Sequence, residues 1–249
     1  MVQLFDDEEL HRLYAKGSME IIQSPSVFSF SLDAILLAHF ARVPKGKNRR
    51  ILDLCSGNGV IPLFISNRTD AHITGLEVQE RLVSMARRSV EYNHLTEQIH
   101  IVHGDLRKRY DQLIQGSFDM VTCNPPYFKT KAKNELNEND YLRIARHEVL
   151  CTLEDVIKAC KLYVKPGGRV VLVYRPDRLV ELLSLLSLHR LEPKQIQFIY
   201  PRIGKDANMV LVEAVRDGKQ GVRILDSLII YNDDQTYTKE AEGIINGRE

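Results

Sequence analysis

From residue 50 onward the chain repeats one pattern: a short apolar run, a polar turn, then apolar positions three and four apart. Ile51 to Leu54 reads as a short apolar strand, and Val60, Ile61, Phe64 and Ile65 then follow helical spacing. His72 to Val78 alternates like a second strand, after which Leu82, Met85, Ala86, Ser89, Val90 and Asn93 share one face of a helix. Ile99 to Val102 forms a third strand leading to Gly104-Asp105, with a weaker helix predicted over Leu106 to Ile114 and a fourth strand over Phe118 to Cys123. Strand and helix alternating across short connections predict a parallel sheet wound with crossover helices.

The flanks are less regular. Residues 1–19 are mixed and charged without a strong period, Met19 to Ile22 reads as a short strand, and Ser31 can cap a helix carrying Leu32, Ile35, Leu36 and Phe40. Asp33 falls in its first turn, where a helix favours negative charge. Beyond the fourth strand, residues 128–148 form a polar loop; Thr152 then caps a helix that ends at Pro166-Gly167-Gly168. Arg169 to Tyr174 reads as a strand and Leu179 to Leu188 as a helix. Gln195 to Tyr200 and Met209 to Val215 read as an antiparallel pair at the sheet edge, joined by Pro201 to Asn208. The tail from Gly218 has one apolar stretch, Leu225 to Tyr231, and a charged end expected to fray. Three regions are expected: 1–45 as an N-terminal extension beside the active site, 46–217 as the main domain, and 218–249 as a tail.

Composition narrows this only a little. With 249 residues and 44% hydrophobic side chains the chain can bury a sizeable core. The 34 basic against 33 acidic residues exclude neither nucleic acid nor protein partners, so local clusters matter more. One such cluster, Arg42 to Arg50, contains no acidic residue; it is either a solvated linker or a phosphate contact. The four cysteines lack paired metal-ligand spacing and the histidines are scattered, so no metal and no disulfide are expected. Asp6 to Glu9 are acidic where a signal peptide is basic then apolar, and no uncharged apolar run approaches ~18 residues. A cytoplasmic protein that does not engage membranes is expected, with the monomer as its oligomeric state.

The chemistry gathers at predicted strand ends. Asn124-Pro125-Pro126-Tyr127 closes the fourth strand, because two prolines cannot donate to a ladder and they hold the preceding residue extended. That leaves an amide, a free carbonyl and an aromatic ring in the crevice where open α/β sheets bind ligands, or merely a turn closing the strand. Gly57 and Gly59 follow the first strand, where glycines let a ligand approach the backbone and the next helix offers free N–H groups. Glu77, about 20 residues beyond, is placed to accept the two hydroxyls of a ribose, and Asp105 ends the third strand. The dinucleotide fingerprint fails at Pro62 and no Walker pattern exists, so an adenosine cofactor without a pyrophosphate fits best.

Asp53-Leu54-Cys55-Ser56-Gly57-Asn58-Gly59 resembles the first motif of class I S-adenosylmethionine-dependent methyltransferases, and Asn124-Pro125-Pro126-Tyr127 resembles their amino-methylating signature. The resemblance implies a Rossmann-like α/β fold: a mostly parallel seven-stranded sheet with an antiparallel last hairpin and helices on both faces. It implies S-adenosyl-L-methionine as cofactor, held by Asp33, Asp53, Cys55, Gly57, Gly59, Glu77, Asp105, Leu106 and Asn124. Gly57 would meet the methionine part, Glu77 the ribose and Asp105 the adenine amine. Phe28-Ser29-Phe30-Ser31-Leu32-Asp33, Asn124 to Phe128 and Pro201 to Asn208 are similar to the bacterial tRNA adenine methyltransferases that modify the adenosine beside the anticodon of a valine tRNA. That similarity implies tRNA as partner, with Asn124, Pro125 and Tyr127 catalytic and Phe28, Pro126, Tyr127, Phe128, Lys129, Lys131 and Arg143 binding substrate.

Three alternatives stay open on the sequence. A protein glutamine amide presents the same planar NH₂, other bases of RNA or DNA carry exocyclic amines, and a cofactor-binding RNA module need not catalyse. For an adenine, Asn124 Oδ1 and the Pro125 carbonyl are expected to accept the two amine hydrogens while Tyr127 or Phe128 stacks on the base.

Overall fold

The computed structural model describes residues 2–13, 19–27, 30–127 and 150–247. It opens with an antiparallel hairpin, β1 (Glu9–Arg12) against β2 (Glu20–Gln23), followed by helix α1 (Leu32–Phe40). The alternating region follows as β3 (Arg50–Leu54), α2 (Val60–Ser66), β4 (His72–Glu77), α3 (Glu80–Tyr92), β5 (Ile99–His103) and β6 (Phe118–Cys123). After residue 150 come α4 (Leu153–Tyr163), β7 (Val164–Tyr174), α5 (Leu179–Leu188), β8 (Leu191–Tyr200) and β9 (Met209–Arg216). The tail adds β10 (Arg223–Ile224), β11 (Leu228–Ile229) and α6 (Lys239–Ile245).

Among the described residues the long strands lie in the order β8-β9-β7-β6-β3-β4-β5. All run parallel except β9, which is antiparallel to both β7 and β8. This is the Rossmann-like α/β sheet with a reversed final pair that the sequence predicts. Ile51, Leu52 and Leu54 have no exposed surface because both faces of β3 are covered. One apolar layer joins Ile51 and Ile73 to α1, α2 and α3, and the other joins Leu52 and Leu54 to α4 and α5. The parallel topology places the carboxyl ends of β3, β4, β5 and β6 along one edge. Every candidate strand-end residue is therefore on that edge.

Four local expectations differ from the structure. Residues 106–114 form turns rather than a helix: Asp105 Oδ1 accepts the Arg107 N–H at 2.9 Å and the Asp105 N–H donates to the Tyr110 hydroxyl at 2.6 Å, so side chains take the backbone groups a helix would need. α4 does not run on to Pro166-Gly167-Gly168; β7 begins directly at Val164, and its pairing with β6 shifts register between Phe118 and Met120 to absorb those residues. Residues 9–12, without a helical or strand period, form β1 because β2 supplies their partner. Through residue 247 the tail does not fray. β10 and β11 extend the sheet alongside β8, so the final hairpin is not its edge, and Leu228, Ile230, Ala241 and Ile244 are buried beneath α1 and the sheet.

The N-terminal hairpin packs on α3, where Ile22 and Val27 meet Leu82 and Met85. Glu8 receives a two-pronged contact from Arg88, the Ile22 N–H donates to Ser89 Oγ at 3.0 Å, and Asn58 Nδ2 donates to the Ile22 carbonyl at 3.2 Å. This last bond ties the glycine turn after β3 to the hairpin.

Candidate active site

The turn after β3 carries the main backbone constraints. Cys55 sits at φ 57, unusual for a residue that carries a Cβ, and Gly57 and Gly59 follow at φ 56 and φ 86. Gly59 is the cap of α2, and a Cβ built there would stand 3.2 Å from that of Ala86 on α3, so both its torsion and its space call for glycine. Gly57 in turn gives its N–H to Glu77 Oε2 at 2.9 Å, while Gln79 gives its N–H to Oε1 at the same distance. Glu77 is thus locked at the tip of β4. Burial raises its carboxyl, with the backbone N–H groups of Gln79, Gly57 and Val78 opposing that rise.

An open cleft lies over these strand ends, the place where open α/β sheets bind ligands. Of the expected cofactor residues it is lined by Cys55, Gly57, Glu77, Asp105, Leu106 and Asn124, joined by Pro126 from the expected substrate set. Asp105 is engaged already: the Arg107 guanidinium, through Nε and Nη2, holds its carboxyl below the ordinary range. Gln79 also lines this wall, and its Oε1 is buried without a partner among the described residues. A carboxylate placed for paired hydroxyls, open backbone at a glycine turn, apolar Leu82 and Val78, and a spare acceptor fit a nucleoside cofactor.

Asp53, Asp33 and Gly59 lie outside the lining. Asp53 has no exposed surface; its Oδ1 accepts from Thr122 Oγ1 on the neighbouring β6 at 2.6 Å, beneath the turn. Asp33, 8% exposed, accepts from the Ala34 N–H at 2.9 Å and from the Ser31 hydroxyl, and its other oxygen accepts from the Tyr127 hydroxyl at 2.6 Å. Ser31 stands at the cap of α1, yet its hydroxyl serves Asp33 instead of a helix N–H.

Asn124 is at the tip of β6, one residue past Cys123, as the paired prolines require. Its Oδ1 also touches the Tyr127 hydroxyl. Burial, with Asp33 beside it, raises the Tyr127 phenol well above its ordinary value, so it is a donor. The Tyr127 ring meets Tyr174 edge-on with centroids 5.7 Å apart, and its carbonyl accepts from Arg178 Nη1 at 3.0 Å. Phe28, Phe128, Lys129, Lys131 and Arg143, together with the polar loop around them, lie outside the described residues.

Among the lining residues that sequence reasoning missed are Phe30, Gln79, Leu82 and Cys151. Gln79 and Leu82 were detectable as the residues just after Glu77; Cys151 comes from a distant segment and carries no local signal. The basic run fares differently. Arg42 pairs with buried Glu213, Arg49 and Lys165 pair with Asp119, and the Arg50 N–H also bonds Asp119. Residue 50 begins β3, so the run lies at the opposite ends of the strands from Asn124, and it is not part of this site.

Comparison with known proteins agrees with this geometry. Over 182 residues, 73% of this chain and 74% of the relative, the sequence is 29% identical to a tRNA1(Val) (adenine(37)-N6)-methyltransferase of a Shewanella strain. It is 27% identical to the protein of that name from Aeromonas hydrophila, over 83% of this chain and 84% of that one. The fold matches the crystal structure of a predicted O-methyltransferase from Agrobacterium tumefaciens with a TM-score of 0.68 and 25% identity, covering 87% of this chain and 96% of that one. The methyltransferase small domain matches residues 18–185, a span that takes in α1, the glycine turn, Glu77, Asp105 and the Asn-Pro-Pro-Tyr tip. The chain belongs to the methyltransferase small domain family, and S-adenosyl-L-methionine is its cofactor.

Proposed function

We propose that this methyltransferase acts on the exocyclic 6-amino group of an adenosine in tRNA, beside the anticodon of a valine tRNA. The observation that carries the reading is the tip of β6: Asn124 and Pro126 line the same cleft as Glu77 and Asp105, so an amine held there faces the cofactor's side of the sheet. The names of the relatives support the choice of base and of tRNA.

When bound, S-adenosyl-L-methionine supplies a methyl group activated by its sulfonium. Gly57 would meet its methionine part, Glu77 the ribose hydroxyls and Asp105 the adenine amine. The chain's own task is to make a poor nucleophile reactive. Adenine's amine lone pair is delocalised into the ring; Asn124 Oδ1 and the Pro125 carbonyl accept its two hydrogens and so stabilise the positive charge that grows on that nitrogen. Neither group must take the proton in advance, because the methylated amine is acidic enough to lose it to water afterwards. Cys55 is no rival nucleophile: its contact with the Cys123 thiol, with burial, raises its own thiol well above the ordinary value and keeps it neutral.

The test is incubation of the full chain with S-adenosyl-L-methionine and bulk tRNA from cells lacking it, followed by digestion to nucleosides and mass spectrometry. Adenosine methylated on its exocyclic amine is expected, with Asn124→Ala slowing transfer by on the order of 10²–10³-fold at unchanged cofactor affinity. An undiminished rate in that variant would overturn the assignment of Asn124. Because the basic run lies away from the site, it no longer weighs against a protein glutamine amide; methylated glutamine with unmodified tRNA would select that substrate.

A further inference from the structure

The Tyr127 hydroxyl touches two oxygens and owns one hydrogen. Asp33 Oδ2 lies 2.6 Å away, and Asn124 Oδ1 is also in contact. A carboxylate is the stronger acceptor, so the phenol hydrogen goes to Asp33. Asp33 is well prepared for it: it is 8% exposed, and its other oxygen is held by the Ser31 hydroxyl and the Ala34 N–H. The phenol oxygen then meets Asn124 with lone pairs only, and two oxygens cannot share that contact without a hydrogen between them.

A carboxamide resolves this by turning half a revolution, since its oxygen and nitrogen occupy equivalent positions. We infer that Asp33 and Tyr127 are positioning residues that set the orientation of Asn124: Asp33 takes the phenol hydrogen, the phenol oxygen accepts from Asn124 Nδ2, and Asn124 Oδ1 is turned toward the substrate amine. This deepens, and rests on, the reading of Asn124 as the acceptor of that amine. Left to itself the amide could present either end, and a presented NH₂ would repel the substrate's own NH₂. The chain Asp33–Tyr127–Asn124 removes that choice, and the anionic end strengthens each acceptor along it. Tyr127 is held from its other side as well, because its carbonyl accepts from Arg178 Nη1 at 3.0 Å and Arg178 is itself gripped by Glu181.

The first measurement needs no substrate. In the ¹H–¹⁵N spectrum of the full chain, the Asn124 carboxamide pair is identified by its loss in Asn124→Ala. Tyr127→Phe, which keeps the ring and removes only the hydroxyl, should move those two signals, and Asp33→Asn should move them in the same direction. Signals that stay in place in Tyr127→Phe would overturn the proposal, and that variant suffices if Asp33→Asn does not fold. Single-turnover methyl transfer then tests the consequence. Tyr127→Phe should slow it by on the order of 10²-fold with cofactor affinity unchanged. Asp33→Asn should slow the wild type yet add nothing in the Tyr127→Phe background, as expected when one residue acts through the other. Equal losses in both backgrounds, or a loss of cofactor affinity, would make Asp33 a ligand or a scaffold instead. Moving amide signals without RNA methylation by the wild type would sink the substrate reading and leave this network standing.

Discussion

Asp53 shows how a strand-end carboxylate can serve a site without touching a ligand. Burial pushes it up to about 7, against the hydrogen bond from Thr122 and with the charge of Glu77 adding to the rise. In the unfolded chain it titrates near its ordinary value of 3.8. Between those two values the folded protein keeps a proton that the unfolded chain has released, so this group's contribution to stability is present below about pH 4 and is lost as pH rises toward 7. The loss is at most on the order of 4 kcal/mol. Asp53→Asn should abolish that slope: by urea unfolding, the variant should gain on the wild type between about pH 4 and about pH 8. A difference independent of pH would mean that Asp53 is ionised in the fold. The sequence identified this residue as one of the set at the strand ends, since its type and spacing are local. It could not separate a ligand from a support, because that depends on which way the pleat of β3 turns the side chain.

The hairpin β1–β2 and helix α3 form a unit whose cohesion is polar as well as apolar. The Glu8 side chain is fully buried and paired with Arg88, whose guanidinium also stacks 4.5 Å from the centre of the Phe5 ring. Burial works against the Glu8 charge, but the Arg88 hydrogen bond, the Phe5 N–H and the charges of Arg88 and Arg81 together outweigh it, leaving the carboxyl below its ordinary range. Arg88→Ala would leave a buried carboxylate with only the Phe5 N–H, and should destabilise the protein by about 3 kcal/mol. Hydrogen exchange should show the loss first in the β1 and β2 amides, with the central strands retaining protection. Uniform loss across the sheet would mean that the hairpin is not a separate element. Pattern alone revealed α1, α2 and α3 because apolar positions three and four apart recur in each. It missed β1, whose four residues, mostly exposed, have no apolar period and become a strand only through β2.

Across the whole molecule, strand direction decides which charges can meet a substrate. β8 runs parallel to β7, so the β8–β9 loop with Arg202 and Lys205 emerges on the same edge as Asn124. Three strand spacings separate β8 from β6, which is about 14 Å. That distance suits phosphates a few nucleotides from a base held at β6. Arg202→Glu with Lys205→Glu should weaken tRNA binding and flatten the slope of log affinity against log salt by about 1–2, leaving cofactor affinity alone. Lys45→Glu with Lys47→Glu, at the opposite end of the strands, should change neither. Equal effects from both pairs would point to non-specific attraction.

The sequence by itself determined the parallel α/β sheet, the glycine turn, the acidic strand ends and the amide-bearing tip at Asn124, because periodicity, turn chemistry and proline restriction act over a few residues. It also sufficed for the reversed strand β9. Only the tertiary structure decided that the basic run faces away from the site, that the tail completes the core, and that Asp33 serves Tyr127 over a separation of 94 positions. Those outcomes follow from contacts between segments far apart in the chain, where a residue's partner, and therefore its role, is set by which strand ends the fold brings together.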